Sequence, residues 1–257
     1  MPNDIPSARR DTIAGRLQQG HAVVAATLAT EFEVSEDAIR RDLRALAAEG
    51  VCRRVYGGAL PIAGGATPMA VRIDEGRERK EALARAAAAT IQADELVFID
   101  SGSTNLALVR FLPEDHGLTV ATNSPDIGAA LLRRPDLRLV MIGGAVDPVT
   151  GGCVDASAIA AIDQLNLDRS FIGACAVSAA GGVSAFELAD AAFKRRVLAA
   201  SATSLVLATS DKLGMRAPHR VAPIERIARV VIEHDAPADQ VDMLARAGSS
   251  IVRADRP

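Results

Sequence analysis

Apolar positions in the first sixty residues recur at helical spacing. Ile13 and Leu17 give a helix over residues 8 to 19 one buried side, and Val23 to Phe32 reads as a second, short helix. A third begins after Ser35, where Ile39, Leu43 and Leu46 recur at i, i+4 and i+7. Ser35 is a good N-cap, Glu36 and Asp37 suit the positive end of the helix dipole, and Gly50 closes the helix. A β-like run from Val51 to Tyr56 follows, then the turn pair Gly57-Gly58. From residue 77 the texture changes. An alanine-rich helix (Arg79 to Ile91) leads to the apolar run Leu96 to Ile99. Similar runs follow at Leu118 to Ala121, Leu137 to Ile142, Ser170 to Ile172, Leu205 to Ala208, Val230 to Ile232 and Ser250 to Val252. Helical segments separate most of them, which predicts an α/β domain with a mostly parallel sheet covered on both faces. Residues 61–76, rich in proline, glycine and small residues, read as a linker. The expected organisation is a winged helix-turn-helix over 1–60, the linker 61–76, and a larger α/β domain over 77–257.

Charge sharpens the reading of the first module. Residues 40–60 hold five arginines (Arg40, Arg41, Arg44, Arg53 and Arg54) against Asp42 and Glu49, whereas residues 1–60 balance at eight basic and eight acidic. Arginines on an exposed helix face are most often simply solvated. Here a gap of about three residues to the preceding helix fits the turn of a helix-turn-helix, and the basic charge is focused rather than spread. The expected partner is double-stranded DNA. Ser35, Glu36, Arg40 and Arg41 are candidates for base edges, with Arg44 on the same face; Arg53, Arg54 and Tyr56 are candidates for phosphates beside the Gly57-Gly58 turn. One winged helix binds weakly alone, so a homodimer or homotetramer on repeated half-sites is expected.

The ends of the expected parallel strands are rich in small polar residues. Asp100-Ser101-Gly102-Ser103-Thr104 runs into a helix from Asn105 to Leu112; Thr122-Asn123-Ser124 precedes Pro125; Gly143-Gly144 and Ser210-Asp211-Lys212 close two later strands. Each alone reads as an ordinary turn. Together, at the end of a parallel sheet where ligands sit, they predict a pocket for an anionic small molecule. Of 29 basic residues only Lys80, Lys194 and Lys212 are lysine, which marks positions where a compact point charge is retained.

Composition excludes several classes. With 257 residues, 49% of them apolar and 24% charged, the chain has ample material for a core. No apolar run approaches the roughly 20 residues that span a bilayer, and the first residues lack the core of a secretory signal. Cys52, Cys153 and Cys175 are odd in number and widely separated, as in a reducing cytoplasm, and Cys175 reads as a buried structural thiol. The cysteines and four histidines show no metal-ligand spacing, and no cofactor is expected.

The segment LATEFEVSEDAIRRDLRALAAEGVCRRVYGGA resembles the DNA-binding signature of the DeoR family of bacterial transcriptional regulators. ERKEALARAAAATI, FIDSGSTN, LTVATNSPDI, MIGGAV, RSFIGACAV and TSDKLG are similar to that family's sensor domain, so the resemblance covers nearly the whole chain. It implies the fold group of ribose-5-phosphate isomerase and CoA transferases, and a regulator, most often a repressor of carbohydrate operons, that senses a phosphorylated sugar or related metabolite. By motif, Asp100 to Thr104 would form the phosphate-side loop, Thr122, Asn123 and Ser124 would line the pocket, and Lys194 and Lys212 would hold phosphate or sugar oxygens. Three positions depart from the pattern. Tyr56 stands where the family's wing commonly has histidine, Ser103 where threonine is frequent, and Ala189 where an acidic pair is usual, which implies a shifted effector preference. Two alternatives compete. A sugar-phosphate isomerase or deaminase with an appended DNA-binding module would need a general base, and Phe171 to Cys175 holds no acid where related isomerases carry a catalytic aspartate. A pure interaction protein would carry a vestigial pocket.

Overall fold

The first unit begins with α1 (Pro6–Gln18), β1 (Val23–Val24), α2 (Ala25–Glu31) and α3 (Glu36–Ala48), and closes with β2 (Cys52–Val55) and β3 (Gly58–Pro61). These come from a computed structural model that describes residues 6–18, 23–55, 57–61 and 69–257. Two compact units divide the chain, Met1–Thr67 and Pro68–Pro257.

Ser35 caps α3 as its sequence position requires: its hydroxyl accepts from Ala38 N at 3.2 Å, a contact of about 1 kcal/mol. At the other end Gly50 takes φ +74°; Gly50 N donates to Ala47 O at 3.2 Å and Val51 N to Leu46 O at 2.8 Å. This double closure needs a left-handed residue, which is why glycine stands there. Ile13, Leu17, Leu28, Ile39, Leu43 and Leu46 pack into one core and are each at most 3% exposed. Burial of each contributes roughly 1.5–3 kcal/mol. The second helix starts later than the apolar pattern predicts. Val23 and Val24 pair antiparallel with Ala59 and Gly58, and the small sheet runs β1-β3-β2. The β-branched pair fits a strand better than a helix start, so the helix begins at Ala25.

The second unit opens with α4 (Met69–Arg72) and α5 (Arg77–Ala88), followed by β4 (Leu96–Ile99), α6 (Ser103–Leu108), β5 (Thr119–Thr122), α7 (Pro125–Leu131) and β6 (Arg138–Met141). A hairpin of β7 (Val146–Asp147) and β8 (Gly152–Cys153) leads to α8 (Ala156–Ile162) and β9 (Leu167–Ile172). Then come β10 (Ala176–Ser178), β11 (Gly182–Ala185), α9 (Leu188–Ala199), β12 (Ser201–Ala208), β13 (His219–Ala222), β14 (Arg229–Ile232), α10 (Ala238–Arg246) and β15 (Ser250–Arg253). The seven apolar runs of the sequence form one seven-stranded sheet, ordered β15-β14-β12-β9-β4-β5-β6, with every pair parallel. Separate apolar cores cover its two faces, around Phe98, Phe193 and Ile172 on one and Leu83, Val97 and Phe171 on the other. The short strands β10, β11 and β13 form an antiparallel satellite sheet, which the apolar pattern did not predict. The helix expected from Asn105 to Leu112 is instead α6 followed by a 3-10 turn, Val109–Phe111. Within the stretch read as a linker, α4 belongs to the larger unit. Strand order reverses around β4, whose neighbours are β5 on one side and β9 on the other; in open α/β sheets such a switch leaves a crevice at the strand ends.

Candidate functional site

Two sets of residues were singled out by the sequence, one on each unit. On the first, Ile39, Asp42, Leu43 and Leu46 turn inward from α3, while Glu36, Arg40, Arg41 and Arg44 are exposed. Asp42, an acid counted against the basic patch, is buried and accepts from Arg9 Nε at 2.6 Å. Its charge is therefore spent on joining α1 to α3, and the outer face is more positive than sequence counting implied. Arg40 is less free: its guanidinium meets Glu36 at 2.7 Å and Asp37 at 3.2 Å. Among the described residues Arg41 and Arg44 have no ion-pair partner. Arg54 is exposed on β2, and Gly57 and Gly58 close the hairpin. Tyr56 and the side chain of Arg53 lie outside the described residues.

On the larger unit, Asp100 directly follows β4 and is fully buried. Its Oδ2 accepts from Gly173 N at 2.8 Å and lies 3.2 Å from Lys194 Nζ, which also donates to Asp190. Burial raises Asp100 to about 6, with the Lys194 ammonium opposing and Asp190 reinforcing the shift. Lys194 is also buried; against that desolvation, Asp100 and Asp190 hold its ammonium above the ordinary lysine range. Lys194 is thus flanked by two carboxylates rather than offered freely to a ligand, and Asp190 is a partner that sequence reading left without a role.

The strand-end hydroxyls separate into two kinds. Thr122 donates to Ile99 O at 2.7 Å and accepts from Ser124 N at 3.1 Å, while Ser124 Oγ caps α7 through Ile127 N at 3.5 Å. Asn123 Oδ1 accepts from Ser101 N at 3.0 Å and its amide donates to Cys153 O at 3.1 Å. All three side chains are fully buried scaffolding beneath the crevice. By contrast Asp100 Oδ1, Ser101 Oγ and Thr104 Oγ1 are buried with no hydrogen-bond partner. Buried polar atoms are rarely left so, and these three belong to one segment, Asp100 to Thr104, at the sheet's switch point. Asn105, which sequence reading passed over, donates to both Asp100 O (3.0 Å) and Phe171 O (3.1 Å) and locks the loop to β9.

Gly152 explains how the hairpin closes the loop from outside. A Cβ there would stand 2.7 Å from Ser101 Cβ and 2.8 Å from Asn123 Nδ2, so only glycine allows the approach. Gly143 and Gly144 are exposed beyond β6, and Gly144 O accepts a weak contact from Cys153 Sγ at 3.4 Å; no contact ties either glycine to Asp100. Lys212 is half-buried in the turn after β12, where burial lowers it below its ordinary value despite Asp211. That turn is held by Glu233, which accepts from Ser210 N at 2.8 Å and from Arg79 at 3.0 Å. Cys52 and Cys153 are buried; Cys175 is only half-buried, contrary to the expectation of a buried thiol, because it lies past the end of β9 among the cations Arg72, Lys194 and Lys212.

No helix among the described residues is long and apolar enough to cross a membrane. Residues 9–63 match the DeoR-like helix-turn-helix domain, and residues 75–234 match the DeoR C terminal sensor domain. The glycerol-3-phosphate regulon repressor of Escherichia coli K12 is 28% identical over 228 residues, covering 88% of this chain and 90% of its own. The helix-turn-helix transcriptional regulator GlpR of Haloferax volcanii is 26% identical over 250 residues, covering 96% and 98%. Among solved structures, ribose 5-phosphate isomerase A of Methanocaldococcus jannaschii aligns with a TM-score of 0.40 and 15% identity over 54% of this chain and 55% of that one.

Proposed function

The chain belongs to the DeoR family of transcriptional regulators, and on that premise we propose a homo-oligomeric, cytoplasmic repressor of a carbohydrate operon, released or retained by a phosphorylated sugar or related metabolite. Arg41 and Arg44, with Ser35, Glu36 and Arg40 beside them, meet the duplex operator in the major groove; Arg53, Arg54 and Tyr56 steady the wing on phosphates. The effector occupies the crevice at Asp100 to Thr104. A single observation carries that half of the reading: Asp100 Oδ1, Ser101 Oγ and Thr104 Oγ1, all within one five-residue segment, are buried and unpartnered. A sugar hydroxyl can donate to the carboxylate and accept from the two hydroxyls, which satisfies all three. Lys212 supplies charge for the phosphate, and Lys194 acts through Asp100. A ligand controls DNA binding only through a difference in its affinity for two arrangements of the protein.

The reading includes no catalytic step. At the end of β9 stand Gly173 and Ala174, neither of which can serve as a general base, and the Asp100 carboxylate is tied to Gly173 N and Lys194.

The test is a mobility-shift titration of the full chain on the duplex upstream of its own gene. Sequence-specific binding is expected, altered by one phosphorylated sugar and unaffected by its unphosphorylated parent. Equal affinity for every duplex overturns the operator half. A complex indifferent to every phosphorylated metabolite overturns the effector half.

A further inference from the structure

Two cations near the crevice have no part in the site as described so far. Arg72 ends α4, the first helix beyond the Thr67 boundary. Its guanidinium donates to Val149 O at 2.9 Å, while its Nε is buried with no partner. Val149 sits in the turn of the β7–β8 hairpin, where Asp147 Oδ1 accepts from Val149 N and Thr150 N, each at 2.8 Å. Gly152 of that same hairpin backs onto Ser101, and Gly151 is so close to α4 that a Cβ would meet Met69 at 2.7 Å. The hairpin therefore fixes Arg72 relative to the loop that carries the unpartnered hydroxyls. Lys80 on α5 donates to Arg72 O and lines, together with Ser103, a cleft of about 570 Å3.

Charge brings Lys212 into the same group. Burial disfavours all three charges, Lys80 and Lys212 repel each other, and Arg72 acts on both; Asp190 and Glu75 beside Arg72, and Asp211 beside the lysines, offset this only in part. Cations so gathered, with one buried N–H unsatisfied, are an arrangement that an anion completes. Two of the chain's three lysines take part.

We propose that Arg72 and Lys80 join Lys212 in a cradle for the effector's phosphate, while the sugar end meets Asp100, Ser101 and Thr104. This rests on the crevice being the effector site. Its consequence is regulatory: the phosphate grips α4, which follows the first unit within a few residues, so binding acts on the segment through which the chain leaves the DNA-binding unit.

The test uses the full chain and orthophosphate as the probe, with chloride balancing ionic strength. Melting is followed against phosphate concentration for the wild type, Arg72→Gln, Lys80→Gln, Lys80→Arg and Lys212→Gln. The wild type is expected to be stabilised. Arg72→Gln and Lys80→Gln should each need roughly tenfold or more phosphate for the same shift, and Lys80→Arg should recover most of the response. If Arg72→Gln fails to fold because its bond to Val149 is lost, the two Lys80 variants decide. A wild-type shift that Lys80→Gln and a folded Arg72→Gln reproduce at unchanged phosphate, while Lys212→Gln abolishes it, overturns the cradle and leaves the crevice reading standing. No wild-type response to phosphate overturns both.

Discussion

Arg9 Nε donates to Asp42 Oδ2 across 2.6 Å, and both side chains are less than a tenth exposed. The pair crosses from α1 to α3 beside a core of apolar side chains. Its charge is compensated only while both partners are present, and breaking one side of such a pair costs about 3–5 kcal/mol. Arg9→Ala is therefore expected to leave Asp42 buried and uncompensated. Hydrogen exchange of the full chain should then rise across α3 and β2 and stay unchanged in the seven-stranded sheet. Unaltered protection over residues 36–55 would refute the assignment.

Lys194 lies between Asp100 and Asp190 with all three side chains buried. Lys194→Met should destabilise the larger unit by about 3 kcal/mol, because two buried carboxylates lose their shared cation. Adding Asp190→Leu should recover part of that loss, as read from urea unfolding of the single and double variants. Additive losses would mean that the two residues act independently.

Acidity offers a separate handle. Asp100 is raised from 3.8 to about 6, so the folded protein binds this proton more tightly than the unfolded chain does. The resulting contribution to stability is complete below the ordinary carboxylate value and is lost as pH rises through about 6. Protonation also removes a negative charge beside the crevice. Sulfate, whose own charge is fixed across this range, should bind more tightly as pH falls from about 8 to about 5, and Asp100→Asn should flatten the dependence. Affinity that falls on acidification, or a slope unchanged in Asp100→Asn, would contradict the placement of Asp100 beside the anion site.

Cys175 reports on the same place. Cys52 and Cys153 are buried, and burial pushes both thiols above their ordinary value, whereas Cys175 is half-buried. Limited alkylation with iodoacetamide should modify Cys175 first, and orthophosphate should slow it several-fold by occupying the neighbouring cations. Labelling at Cys175 that phosphate leaves untouched would place the anion elsewhere.

Much of the architecture was legible because two local signals agreed with tertiary structure. Ser35 and Gly50 bounded α3 through capping chemistry, and seven short, largely apolar runs became the seven strands of a parallel sheet. Misreadings came where a residue's partner lay far along the chain. Val23 and Val24 sit on a helical apolar pattern yet pair with Gly58 and Ala59. Asp42 counted as surface charge until Arg9, 33 residues away, proved to neutralise it. Thr122 and Ser124 carry the same hydroxyls as Ser101 and Thr104, and only three-dimensional hydrogen bonding separates scaffold from unsatisfied groups. Arg72 lay in a stretch whose prolines and glycines read as linker, so its proximity to Lys80 and Lys212 was invisible. The scarcity of lysine was the one sequence signal that pointed toward that cluster.

The claim on which the account turns is that α3 enters a DNA groove through Arg41 and Arg44. Fluorescence anisotropy of the full chain on the duplex upstream of its gene, repeated across a salt series, tests it most directly. Arg41→Ala and Arg44→Ala should each weaken binding. A residue that contacts phosphate should also lower the salt slope by about 1, while one that reads a base should cost about 1–3 kcal/mol and relax preference at one position. Variants that bind with wild-type affinity, specificity and slope, or a wild-type chain that ignores every duplex at low salt, would contradict it.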